Sequence, residues 1–135
     1  MNAIVREAES WVGTPYHHCA DVKGAGVDCA MLLVRVFCDL HLAPPFDPRP
    51  YPHDWMLHRS EERFLGWVSR FATQVDAPAP GLVAIFRFGR CASHGAILVD
   101  DGYMIHADLR ARRVVRTELA TYAHRLHSFW NVAGV

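Results

Sequence analysis

The chain has no net charge: Lys plus Arg and Asp plus Glu number 14 each among its 135 residues. No overall field draws it to a polyanion, so nucleic-acid binding would need a local basic patch. Arg110, Arg112, Arg113 and Arg116 are the one candidate, and no aromatic residues interleave with them as they do on single-strand platforms. A solvated turn and strand is the plainer account, and no nucleic-acid partner is expected. The chain also lacks an apolar run near the ~18–20 residues that span a bilayer, so no membrane partner is expected. Its start, MNAIVREAESWVG, has no basic lead followed by an apolar stretch, and Arg6, Glu7 and Glu9 interrupt it. Synthesis in the cytoplasm is the expectation, with delivery by something else if the target lies outside.

None of Cys19, Cys29, Cys38 and Cys91 forms a C-x-x-C pair, which removes the zinc-knuckle and dithiol readings. At 51% hydrophobic composition the chain closes a core without staples, and reduced thiols are expected. There is no internal repeat and no low-complexity stretch. Proline-rich breaks at 44–52 and 78–80 read as joints within one domain covering 1–135.

Within that domain, Ile4, Val5, Ala8, Trp11 and Val12 recur at helical spacing, which predicts a first helix over about 2–12, stopped by Gly13 and Pro15. DCAMLLVRVFCDLHL predicts a second, apolar on nearly every side and therefore buried, with Asp28 as N-cap. From His53 to Val75 the pattern predicts one or two amphipathic helices with Trp55, Leu57, Phe64, Leu65, Val68 and Phe71 inward. Beyond Pro80 the texture turns to strands: LVAIFRF, HGAILVD, YMIHAD, RVVRTE and RLHSFWNV, the last after a short helical turn near 118–123. The D-G step in Asp100, Asp101, Gly102 predicts a hairpin pairing 96–99 with 103–107. Helices first and an antiparallel meander after them make an α+β fold.

A cysteine at a helix N-terminus meets unpaired backbone N–H groups and the positive end of the macrodipole, both of which favour its thiolate. Cys29 is so placed. A histidine that could take its proton is sought on rigid elements, and His94 starts a strand that pairs with the strand carrying His106. Counted from the turn, His94 lies seven residues back and His106 five on, close to register. Nucleophile, base and orienter are then all present. Taken singly, each also reads as a buried cysteine or a satisfied strand histidine. A metal alternative gathers His17, His18, Cys19, Cys91 and His94, whose spacing follows no usual ligand pattern, so neither metal nor cofactor is expected.

Four segments in order, W-V-G-T-P-Y (11–16), G-V-D-C (26–29), H-G-A-I-L (94–98) and M-I-H-A (104–107), resemble the NlpC-type branch of papain-like cell-wall peptidases. The resemblance implies a papain-like α+β fold, its N-terminal helical half carrying the nucleophile helix against a C-terminal antiparallel sheet. It implies a cysteine peptidase that cuts an amide bond in peptidoglycan stem peptides. Cys29 attacks, His94 activates it, and His106 fills the family's third polar position. Tyr16 falls on the tyrosine facing the nucleophile, and Asp28 on the aspartate that can pair with a substrate amino group, although simple N-capping accounts for it equally well. The oxyanion is expected to be met by backbone amides, that of Cys29 among them.

Two departures stand out: Ala30 replaces the serine of D-C-S-G, which bears on specificity, and Gly95-Ala96 replace the V-G after the base. The stretch from Tyr51 through Trp55, His58 and Arg59 to Glu62 looks like short members encoded among phage tail genes, implying tail proteins as partners and delivery to the wall in a tail. Two other functions stay open: an acyl or amide hydrolase acting elsewhere, and a catalytically idle tail-assembly protein. Cys38 reads as core filling and Cys91 as a residue near the site.

Overall fold

The computed structural model describes residues 2–51, 63–88 and 91–132, with Arg63 and Cys91 as backbone only. Helix α1 (Ala3–Glu9) is capped by Asn2, whose side chain accepts the Ile4 N–H, and it buries Ile4, Val5 and Ala8. It ends three residues short of the expected boundary. The chain leaves there to bond the sheet: Gly13 N–H donates to Val114 O at 2.9 Å and Tyr16 N–H to Arg112 O at 2.8 Å. Two short strands, β1 (Asp21–Val22) and β2 (Gly26–Val27), form a small hairpin before α2 (Cys29–Asp39). As expected, α2 is capped by Asp28 and is deeply packed, burying Ala30, Met31, Leu32, Leu33, Val36 and Phe37.

In the next segment Trp55 and Leu57 lie outside the described residues. Helix α3 (Arg63–Phe71) buries Phe64 and half-buries Leu65, Val68 and Phe71. It does not continue to Val75. Residues Thr73–Val75 form strand β3, because β8 offers them an edge: Thr73 pairs with Asn131 and Val75 with Phe129. Tertiary pairing overrides the helical periodicity of the preceding turns.

The remaining strands are β4 (Val83–Phe88), β5 (Cys91–Leu98), β6 (Tyr103–Asp108), β7 (Arg113–Glu118) and β8 (Leu126–Asn131). Among the described residues they form with β3 one antiparallel sheet, ordered β3-β8-β4-β5-β6-β7. Strands β4 to β7 are the meander read from the sequence, and β8 returns to pair with β4. The β5–β6 connection is a 3-10 turn, Asp100–Gly102, in which Asp101 (φ 62°) and Gly102 (φ 79°) take the left-handed conformation that aspartate tolerates and glycine favours.

Period-2 alternation divides the sheet between two cores. Ile85, Ile97 and Ile105 face the helices. Phe86, Leu98 and Met104 face the other way, under Leu119 and Tyr122 of the 3-10 segment Leu119–Arg125. Among the described residues no helix is long and apolar enough to cross a membrane.

Gly95 decides how closely α2 approaches β5. A Cβ there would stand 2.7 Å from Leu33 Cδ1 and 2.8 Å from Phe64 Cζ. Gly95→Ala is therefore expected to destabilise the fold by about 1–3 kcal/mol through overpacking, measured by denaturant unfolding. An unchanged midpoint would show that the helices have room to retreat.

Candidate active site

Asp28 is 2% exposed and all its bonding is internal. Oδ1 accepts the Met31 N–H at 2.9 Å, while Oδ2 accepts the Cys19 N–H at 2.7 Å and the Tyr51 hydroxyl at 2.6 Å. Of the two roles open to it, N-capping is the one the geometry displays. The carboxylate fixes the first turn of α2 and ties the 17–19 loop and Tyr51 to it.

The next residue is Cys29, half-buried at the wall of a cleft of about 570 Å³ that His94 and Tyr16 also line. Its thiol donates to Ser93 O at 3.8 Å, so the sulfur rests on the backbone of β5 at the residue before His94. That hydrogen bond goes to the Ser93 carbonyl and not to the His94 ring. The helix N-terminus argues for a thiolate; burial argues against one and is the larger effect. Burial, followed by the Asp28 charge, pushes the thiol well up, against the pull of the Ala30, Cys29 and Gly95 amides. Those same amides are placed to meet negative charge near the sulfur.

His94 on β5 and His106 on β6 project among Phe86, Phe88 and Tyr122. The β5–β6 ladder runs through Leu98↔Met104 and Ile97↔Ile105. In that register His106 lies opposite residue 96, so His94 is its diagonal neighbour on one face, within reach of a long side chain. Their rings meet, His94 Nε2 to His106 Nδ1, at 2.8 Å. Phe88 stacks on His94 with centroids 4.9 Å apart and planes 7° apart, holding the ring flat. Burial first, then His106, lowers the His94 pKa to about 3. Burial likewise lowers that of His106, against the pull of Asp108. Burial therefore favours the uncharged form of the thiol and of both imidazoles.

The hydrogen bonds bear on which His94 nitrogen carries the proton. His106 Nε2 lies 3.2 Å from Thr117 Oγ1 on β7. If His106 donates from Nε2 to the hydroxyl, its Nδ1 accepts from His94 Nε2–H, leaving His94 Nδ1 with a lone pair for the thiol proton. The opposite arrangement protonates Nδ1 and disables the base. In the triad reading Thr117 is a positioning residue that acts through His106. Thr117→Val is expected to lower kcat/KM about 3- to 10-fold and Thr117→Ser to restore it, with unchanged thermal midpoints. Equal rates for the valine and serine variants would remove Thr117 from the relay.

Tyr16 is half-buried in the same cleft, and burial, then Cys29 and Asp28, raises its pKa, so it stays a phenol able to donate. The metal alternative does not assemble as written. His94 is engaged with His106, and the Cys91 side chain is outside the described residues. His18 and Cys19 instead approach Asp28, with His18 Nε2 also 3.0 Å from Tyr51 O. Asp28 already accepts three hydrogen bonds, so this trio is a bonded loop anchor more than a vacant donor set. Cys38 is half-buried on α2 with its sulfur 3.4 Å from Pro44 O, beside the core and not part of it, so the core-filling expectation does not hold. Thr117 carries no sequence signal toward the site, whereas Tyr51 lies in a segment already singled out.

No protein-family model and no curated protein matches the chain. Solved structures do. The NlpC/p60 domain of the peptidoglycan hydrolase SagA is 20% identical with a TM-score of 0.67, over 97% of this chain and 99% of that one. NlpC1 from Trichomonas vaginalis is 14% identical with a TM-score of 0.68, over 95% of this chain and 43% of that one. The peptidoglycan hydrolase RipB from Mycobacterium tuberculosis is 17% identical with a TM-score of 0.60, over 97% of this chain and 63% of that one. The chain thus spans all of one such domain and less than two thirds of the two longer proteins. Its architecture is the α+β papain-like fold of the NlpC/p60 domains.

Proposed function

We propose that the chain is an NlpC-type cysteine peptidase that hydrolyses an amide bond in peptidoglycan stem peptides, with Cys29, His94 and His106 as its triad. The observation that carries this reading is the shared cleft: a thiol at the first turn of α2 and an imidazole whose Nε2 is committed to a second histidine. The hydrolases of the same fold support the substrate class.

Because sulfur and ring begin uncharged, the proton leaves Cys29 Sγ for His94 Nδ1 as the S–C bond forms. The thiol must turn from Ser93 O toward the ring for this step. The carbonyl oxygen, now negative, is met by backbone amides near the sulfur, and Tyr16 donates to the bound peptide. The imidazolium then protonates the leaving amine as the C–N bond breaks, giving a thioester that water hydrolyses with His94 as base. Digestion of purified peptidoglycan with mass analysis of the fragments tests the assignment. New amino termini within stem peptides support it, and an intact sacculus with intact stem peptides refutes it.

The raised thiol favours one rival, a protein of this fold that binds in the cleft without turnover. A tail-associated role, with synthesis in the cytoplasm and delivery to the wall, is part of the proposal. Its support is the likeness of residues 51–62 to phage-tail members, and of these only Tyr51 lies among the described residues.

A further inference from the structure

The basic cluster singled out in the sequence divides in two in the fold. Arg116, on β7, lies 4.0 Å over the Tyr103 ring and 3.9 Å from Glu9 Oε1, and does not line the cleft. Arg110 and Arg112, in the turn between β6 and β7, instead line the cleft that holds Cys29 and His94, and Arg125 joins them from the end of its 3-10 segment. We propose that these three arginines select substrates carrying free carboxylates next to the amide that is cut. The proposal rests on the reading of the cleft as a peptidase site and names its substrate class more closely.

Three observations support it. First, the arginines are exposed and their charges are not neutralised from within. Among the described residues the arginine ion pairs join Arg35, Arg49 and Arg116 to Asp21, Asp39, Asp47 and Glu9, and none involves these three. Second, the cleft wall carries two acids against three arginines. Asp28 is buried with its oxygens turned inward, and Asp108 accepts the backbone N–H of Arg110 at 3.0 Å and forms no ion pair with an arginine side chain among the described residues.

Third, the arginines are anchored next to the reacting groups. The Arg112 carbonyl accepts the Tyr16 N–H at 2.8 Å and its φ is 61°, so the turn is held against a residue that lines the cleft with Cys29. The Arg125 guanidinium lies 5.1 Å over Phe88, the ring that stacks on His94. A guanidinium presents a planar fork that matches a carboxylate, and stacking on an aromatic ring holds that fork in place while its N–H edge stays available. Ala30 stands where the family has a serine, and Asp28 is already bonded, so the anionic groups of a peptide have the stronger charged partners here.

The test uses one stem peptide in two forms, with its carboxylates free or converted to amides. Wild-type protein is expected to cleave the free-acid form about 10- to 100-fold faster in kcat/KM. In the triple variant Arg110→Gln, Arg112→Gln, Arg125→Gln that ratio is expected to fall to near one. The same pair is titrated calorimetrically into Cys29→Ala protein, where the free-acid form is expected to bind more tightly and to weaken with salt. Equal cleavage and equal binding of the two forms would overturn the proposal while leaving the peptidase reading intact. Binding that prefers the acid form without any cleavage would sink the peptidase reading and keep the selectivity. Failure of both forms to bind would overturn the proposal.

Discussion

Cys29→Ala is expected to lower kcat/KM for a stem peptide by about 10⁴-fold or more while the protein stays folded. The size follows from the role: without sulfur there is no thioester, and the amides and imidazole that remain can act only on water. The fold is expected to survive because Cys29 is half-buried, alanine is the best helix former, and the N-cap of α2 comes from Asp28. Circular dichroism and thermal midpoints within a few degrees of wild type would establish that. Turnover retained by the alanine variant would end the assignment of the nucleophile.

The second large effect is at His94. In the proposed mechanism His94 takes the thiol proton and returns it to the leaving amine, so kcat is expected to fall about 10²- to 10⁴-fold in His94→Gln. The same substitution carries a stability signature. Burial and His106 hold the folded-state pKa of His94 at about 3, against about 6.5 for an unfolded histidine. Between those values the unfolded chain binds a proton that the folded chain refuses, so stability is full above about pH 6.5 and falls as pH falls. The slope approaches 1.4 kcal/mol per pH unit for one such group. His106, lowered for the same reason, adds in the same direction. Unfolding midpoints measured from pH 7 to pH 4.5 are expected to drop steeply for wild type and less steeply for His94→Gln. Parallel curves would show that the ring is not buried uncharged.

Much of this was legible because the chemistry sits where local rules are strong. Asp28 before an apolar run is an N-cap whatever the fold, so the start of α2 and the place of Cys29 follow from six residues. The D-G step at 101–102 requires positive φ, which locates the hairpin, and strand period then puts His94 and His106 on one face two residues out of register. The rest depends on contacts between distant segments. The short β1 and β3 form only because β2 and β8 are there to pair with them. Thr117 and Arg125 come to the site from strand order and the path of the last 3-10 segment, which no local pattern encodes. Charge state was the hardest to read. A helix N-terminus is visible in a sequence, whereas burial, which here pushes both Cys29 and His94 toward their neutral forms, depends on everything packed around them.

All of the chemistry turns on the sulfur of Cys29 becoming acylated. Wild-type protein quenched with acid during turnover of a stem peptide, then digested and mass-mapped, reads that event directly. The expected result is the mass of the acyl fragment on the segment containing Cys29, absent from Cys29→Ala. Turnover with no adduct on that segment, or an adduct on Cys19 instead, would contradict it.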